Sequence, residues 1–208
     1  MLMRGWVLRG SKTGKLLPTG NVVDEFDGVK ATCIDAGNPC VFIHASALDV
    51  PGTIMPDDID AHPTLGLRLE SIRRQASVAM GISKLASETP GSIPKIAMVS
   101  KPSSHVLSSG KRVDEGTMDL VVRAMSVGQP HRAVPITVAL ALAAAANLKG
   151  STVHDVTSPG RVDSEGITLG HPSGKIVVGA KFDGGGKLEH ATVYRTARRI
   201  MEGVVYWK

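Results

Sequence analysis

Pro135-Ile-Thr-Val-Ala-Leu-Ala-Leu-Ala-Ala-Ala-Ala-Asn-Leu-Lys149 is the stretch on which the fold turns. It reads as a helix. Pro135 suits a first helical turn, where no needed backbone donor is lost, and Gly150 stands in the expected C-cap position. From Ile136 to Ala146 the sequence is apolar nearly all round, and a helix without a polar face must be enclosed by other structure. The apolar run from Val134 to Leu148 falls short of the roughly 18 residues that cross a bilayer, and Pro135 interrupts it, so it predicts a buried helix and no membrane span.

Working outward, the flanking chain reads mostly as short strands. A tight-turn signal at Asp27-Gly28 leads into Val29 to Ile34. There Val29, Ala31 and Cys33 alternate with Lys30 and Thr32, as in a half-buried strand. Asp35-Ala-Gly-Asn-Pro39 breaks this strand before a second, Cys40 to Ile43. Leu65, Leu69, Ile72, Ala76 and Met80 recur at steps of three or four and predict an amphipathic helix, with Glu70 four residues before Arg74. Pro94 to Ser100 and Asp119 to Met125 read as strands, and the Ser-rich stretch between them, Lys101 to Thr117, as an exposed loop. Beyond the apolar helix, strands are expected at Thr152 to Val156, Ile167 to Leu169, Lys175 to Phe182, Leu188 to Tyr194 and Gly203 to Trp207. Turn signals at His171-Pro-Ser-Gly174 and Asp183-Gly-Gly-Gly186 separate them. The expected fold is α+β, a curved mixed sheet wrapped around a central buried helix.

Composition narrows the function classes. The chain has 208 residues, enough for a packed core, and only 3% aromatics, so Val, Ile, Leu, Ala and Met must build that core. Residues 1–10 carry scattered charge and no signal-peptide cleavage pattern; they read as a poorly ordered extension ahead of one domain over 11–208. Two cysteines, Cys33 and Cys40, are too few for a disulfide framework, and a cytoplasmic location is expected. The net charge is +5, but no aromatic-rich basic stripe accompanies it, so a small anion is a better partner than nucleic acid. No His-x-x-x-His or Cys-x-x-Cys spacing supports a metal site. Gly10-Ser-Lys-Thr-Gly-Lys15 is one residue short of a phosphate-binding loop, and Leu16 stands where Ser or Thr should follow.

Two stretches carry candidate chemistry. Gly128-Gln-Pro-His-Arg-Ala-Val-Pro-Ile136 brings a loop to the start of the apolar helix, where free N–H groups and the helix dipole favour an anion. His131 and Arg132 lie just outside that turn and either add charge to a carboxylate site or face water. In Asp35-Ala-Gly-Asn-Pro-Cys40 the turn formers make a connection, and Asn38 either serves that turn alone or aims its amide at a ligand carboxylate. The basic run Tyr194-Arg-Thr-Ala-Arg-Arg199 either binds an anion or is a solvated charge run.

Six blocks in order resemble the PrpF-like 2-methylaconitate cis-trans isomerases, relatives of diaminopimelate epimerase. They are Ser11-Lys-Thr-Gly-Lys-Leu-Leu-Pro-Thr-Gly-Asn-Val-Val-Asp24, Cys33-Ile-Asp-Ala-Gly-Asn-Pro39, Ser92-Ile-Pro-Lys-Ile-Ala-Met-Val-Ser100, Pro130-His-Arg-Ala133, Gly170-His-Pro-Ser-Gly174 and Arg195-Thr-Ala-Arg-Arg-Ile-Met-Glu-Gly203. The resemblance implies two pseudo-symmetric halves, each a sheet around a helix, with the active site between them. It implies that this chain is the C-terminal half and that the missing N-terminal half carries the lysine and cysteine of proton transfer. Val134 stands where the epimerases keep a catalytic cysteine, so no catalytic residue is expected within this chain. By resemblance the activity is a cofactor-independent allylic proton shift in an unsaturated tricarboxylate. This half would supply substrate binding through Asn38, Ser126, His131 and Arg132, with Lys15, His171 and Arg195 as further candidates. The expected partners are that substrate and either the missing half or a second copy of the chain. The rival reading is a non-catalytic anion-binding or interaction module derived from the isomerase.

Overall fold

The structure, a computed structural model, describes residues 12–194, 202–204 and 206. It opens with the hairpin β1 (Asp24–Phe26) and β2 (Val29–Asp35). Asp27 and Gly28, at φ 53° and 71°, form the two-residue turn, whose positive dihedrals match the twist of the flanking strands. β3 (Pro39–His44) returns antiparallel to β2. The chain then leaves the sheet through α1 (Pro56–Ala61) and α2 (Leu65–Ala79) before β4 (Lys95–Ser100) pairs parallel to β3.

A small hairpin of β5 (His105–Val106) and β6 (Arg112–Val113) precedes β7 (Leu120–Ser126) and its short partner β8 (Gln129–Pro130). α3 (Ile136–Ala146) is the second crossover and delivers β9 (Ile167–His171) parallel to β7. β10 (Gly174–Phe182) and β11 (Leu188–Tyr194) complete the sheet as antiparallel neighbours. The order is β1-β2-β3-β4-β7-β9-β10-β11, with β8 branching from β7. The fold is therefore mixed α+β, a large mixed sheet with few helices.

The two crossovers put one helix on each face. Leu65, Leu69, Ile72 and Ala76 of α2 pack with Cys33, Val41, Ile96 and Met98 on one side. On the other, α3 packs with Ile34, Phe42, Val122, Leu169 and Val178. α3 touches β2 and β3 as well as β10 and β11, strands from opposite ends of the sheet order, so the sheet curves around it. Ala139, Ala141 and Ala143 have no exposed surface. Small alanine side chains let strands approach the helix from several directions at close range.

Several local expectations need correction. β2 is covered on both faces beyond Lys30, because Thr32 is buried as well; its hydroxyl donates to the Val22 carbonyl and accepts the Thr152 amide. α3 ends at Ala146 with Asn147 as C-cap, and Pro135 is its N-cap residue, one position ahead of the first turn. The Asn147 side chain donates to the Ala143 carbonyl, which stops the helix before Gly150. Thr152 to Val156 is no strand: residues His154–Val156 form a 3-10 turn, because the Ser151 hydroxyl accepts the His154 amide and donates to the Ala145 carbonyl. The Ser-rich stretch 101–117 holds a hairpin with its own small core of Leu107, Val113, Met118 and Val121. The extension at 1–10 lies outside the described residues, and of the strand expected at 203–207 the described residues Gly203, Val204 and Tyr206 are exposed and form no strand.

Two buried charges tie loops to the sheet. Arg123 is 1% exposed; its guanidinium donates to the carbonyls of Thr53, Ile54 and Val122 and so pins the loop before α1. Gly52 permits that approach, since a Cβ there would stand 1.8 Å from Ser100 Oγ. Asp35 accepts from the amides of Lys12 and Thr13 and from the Thr13 hydroxyl at 2.8–2.9 Å, holding residues 12–16 against the end of β2.

Leu142 of α3 is fully buried in the core that the sheet forms around the helix; Leu142→Ala should cost about 2–5 kcal/mol in urea unfolding, while Leu67→Ala, at a residue 75% exposed, should change stability by about 0.5 kcal/mol or less. Asp35→Ala should release residues 12–16, and trypsin cleavage after Lys12 and Lys15 should accelerate by about tenfold or more. Burial, with Arg123 nearby, pushes His105 below its ordinary pKa of 6.5. The unfolded chain then binds more protons below that value, so this contribution to stability is complete above it and lost as pH falls. Unfolding midpoints compared at pH 5 and 7.5 should differ less in His105→Gln than in the parent.

Candidate functional site

The site is built where α3 begins. Pro135 sets the entry with φ −60°, and no side chain caps the helix. The Ala139 amide donates to the Pro135 carbonyl, which leaves the first-turn N–H groups of Ile136, Thr137 and Val138 without intrahelical acceptors. Together with the helix dipole they form a positive end suited to a carboxylate. Beside it a cavity of about 440 Å³ is lined by Ala133, Val134, Ile136, His171, Ser173 and Lys175, among others. Ser173 donates from its hydroxyl to the Arg132 carbonyl at 2.7 Å, latching the β9–β10 turn onto the loop that enters α3.

Strand alternation decides which side chains face this end. β4 sends Ile96 and Met98 toward α2 and Ala97 and Val99 toward α3, so Lys95 falls on the α3 face. Its register partner on β3 is Cys40, which belongs to the α3 cluster. β7 sends Ala124 the same way, and the His131 amide donates to the Ala124 carbonyl at 2.8 Å, extending the β7–β8 pairing by one residue. His131 therefore shares that face. Its Nε2 is buried and has no hydrogen-bond partner among the described residues. Burial, and then the Lys95 ammonium, hold its pKa below the ordinary 6.5, so the ring is neutral near pH 7.

The sequence candidates are placed differently from one another. His131 and His171 flank the start of α3. Arg132 lies in the same loop, but its guanidinium points along the surface to Asp57 at 2.9 Å, with both side chains mostly exposed. Asn38 is half-buried in the β2–β3 turn, at the sheet end where Cys40 meets Lys95. Ser126 lines a different cavity, of about 230 Å³, with Leu69, Arg73 and Arg74 of α2. Lys15 lines another, of about 490 Å³, with Lys12, Gly81 and Ile93. Arg195 lies outside the described residues.

Lys95 and Ser173 were missing from the candidates. Both lie inside blocks quoted above, but their partners sit in other strands, so no spacing along the chain marks them. In the cavity that Ser126 lines, Val127 takes φ 53°, a left-handed conformation costly for a β-branched residue, in the turn joining β7 to β8.

Neither cysteine is suited to proton transfer. Cys33 and Cys40 are free and buried, and desolvation pushes both thiols far above their ordinary range. Among the described residues no group of three or more His, Cys, Asp or Glu is arranged to hold a metal ion, and no helix is long and apolar enough to cross a membrane.

Comparison with known proteins gives a consistent result. The family profile described as PrpF protein matches residues 8–208. A 3-methylitaconate isomerase of Eubacterium barkeri is 39% identical over 206 residues, covering 95% of this chain and 53% of that protein. A 2-methyl-aconitate isomerase of Shewanella oneidensis is also 39% identical, over 202 residues, covering 92% of this chain and 50% of that protein. A crystal structure of a methylitaconate-delta-isomerase superposes with a TM-score of 0.86 at 36% identity, over 95% of this chain and 52% of that one. The chain spans about half the length of the relatives it matches. With an enclosed α3, an uncapped helix start and a family match that runs through both, the chain belongs to the PrpF protein family.

Proposed function

We propose that this chain is the carboxylate-recognising C-terminal half of an isomerase with a diaminopimelate epimerase-like fold, acting on unsaturated tricarboxylates of the 2-methylaconitate or aconitate type. The observation that carries the reading is the uncapped start of α3 with the buried, unpartnered His131 Nε2 beside it, in a chain similar to named isomerases over half their length.

The reaction is a cofactor-independent allylic shift. A base removes a proton from carbon next to a carboxylate, the electron pair delocalises into the conjugated system, and a proton returns at the far allylic carbon as the double bond moves. The dienolate carries its charge on the carboxylate, so first-turn N–H groups and nearby cations that bind the carboxylate also stabilise the transition state. In this reading Asn38, His131 and His171 contribute to carboxylate binding at the α3 end, and Arg132 does so by giving up Asp57. Ser126 and Lys15 line other cavities and stay outside this set, and Arg195 joins it by the family resemblance alone. The base comes from that second half.

The second reading, an anion-binding module without turnover, draws support from the two inert cysteines and from Val134, an apolar residue at the helix entrance. The two readings part on one assay. The pure chain is incubated with cis- or trans-aconitate in D₂O, alone and with the N-terminal half of a relative. The chain alone should leave the substrate undeuterated, since loss of a general base costs about 10²–10⁴-fold, and the mixture should incorporate deuterium. A silent mixture that still binds the substrate favours the module. Robust turnover by the chain alone, abolished by replacing Cys40 or His131, would show that the chemistry resides here instead.

A further inference from the structure

The far end of α3 carries a cavity of its own. Among the described residues a space of about 350 Å³ lies between the loop ahead of β9 and the face of β10 and β11 turned away from the helix, and it reaches the Asn147 C-cap. Register puts Gly179 opposite Thr192 on that face, because their neighbours Val178, Ala191 and Val193 belong to the α3 core. The covering loop is fixed in place. Asp119 accepts the Val162 amide, the Asp163 carboxylate accepts the Glu165 amide, and a Cβ on Gly166 would stand 2.3 Å from the Val178 carbonyl oxygen. Gly179 keeps the floor bare, since a Cβ there would stand 3.4 Å from the Tyr194 ring and 3.5 Å from the Glu165 carbonyl oxygen.

Several polar groups face this space without partners. Arg161 and Glu165 both line it, yet among the described residues neither enters an ion pair. Lys181 does, with Glu189 at 2.9 Å. Thr192 is 5% exposed, and its hydroxyl makes no hydrogen bond among the described residues. A buried hydroxyl in that state calls for something in the cavity to bond it. A ligand with negative charge alone would be repelled by Glu165, and one with positive charge alone by Arg161. A molecule carrying both charges satisfies both residues.

We propose that this cavity binds a small zwitterionic α-amino acid with a short polar side chain. Arg161 donates to the α-carboxylate, Glu165 accepts from the α-ammonium, and the Thr192 hydroxyl bonds the ligand side chain. The site is distinct from the carboxylate-favouring start of α3. Eleven helical residues, about 16 Å, separate the two ends of the helix, and Tyr194 is a wall common to both cavities.

The test uses the 208-residue chain in amide NMR titrations with three matched compounds. L-serine carries both charges, 3-hydroxypropionate lacks the ammonium, and ethanolamine lacks the carboxylate. Serine should bind saturably, with shifts centred on Gly166, Gly179 and Thr192, and each one-charge compound should bind about tenfold more weakly or worse. Arg161→Met should remove the preference for serine over ethanolamine, and Glu165→Gln the preference over 3-hydroxypropionate. Both side chains are exposed, so neither change endangers the fold. Excess propane-1,2,3-tricarboxylate should leave serine bound. Equal affinity for the three compounds, no saturable serine binding, or unchanged discrimination in both variants would overturn the proposal. Displacement of serine by the tricarboxylate would overturn it too, by placing serine at the start of α3.

Discussion

The enclosure of α3 is the constraint from which the rest of the structure follows. Its side chains are Ala, Leu and Val on nearly every side, and each one left in water would forfeit part of the hydrophobic term that holds a small domain together. A flat sheet can cover only one stripe of a helix. Covering all of α3 requires the sheet to bend until β2 and β3 meet it from one side and β10 and β11 from another. The parallel β7–β9 pairing is the topological means to this, because a parallel connection needs a crossover and α3 is that crossover.

Enclosure also shapes the chemistry. A helix sealed along its length exposes little except its ends, and the N-terminal end is where unsatisfied donors collect. Pro135 starts the helix without capping it, and the loop before it is stapled by Ser173 on one side and by the His131–Ala124 bond on the other. The result is an anion-favouring end held at fixed distance from the edge of the sheet. The second crossover places α2 on the opposite face, where an ordinary amphipathic helix suffices because it is covered on one side only.

Buried polar groups give the curved sheet a single arrangement. Thr152 donates from its hydroxyl to Phe42 and from its amide to Thr32, and the His44 ring donates from Nε2 to the Thr152 carbonyl at 2.7 Å. These bonds join the segment after α3 to β2 and β3, so the sheet cannot slide along the helix without leaving donors and acceptors unmet. Asp119 acts likewise at the other end, accepting the amides of Val162 and Thr168. Stranding any of these groups costs more than its bond contributes, and that asymmetry makes them specify the register.

The sequence by itself determined the elements with strong periodicity. The apolar circumference of residues 136–146 required a buried helix, the three-and-four spacing from Leu65 to Ala76 required a half-covered one, and Asp27-Gly28 required a tight turn. Local physics sufficed there, because the pattern and its partner lie on one short segment. It did not suffice for Thr152 to Val156, whose β-branched residues read as a strand until the Ser151 hydroxyl captured the His154 amide. Nor did it show that Thr32 is buried, because its cover comes from a segment more than a hundred residues away. The site divides the same way. His131 and the helix start are neighbours in sequence and were legible as a pair. Lys95 joins them only when β3, β4 and β7 are in register, and Arg132 is drawn off to Asp57 only when α1 is in place. Which charges meet depends on strand pairing between distant segments, and that is decided by burial of the whole core rather than by any local motif.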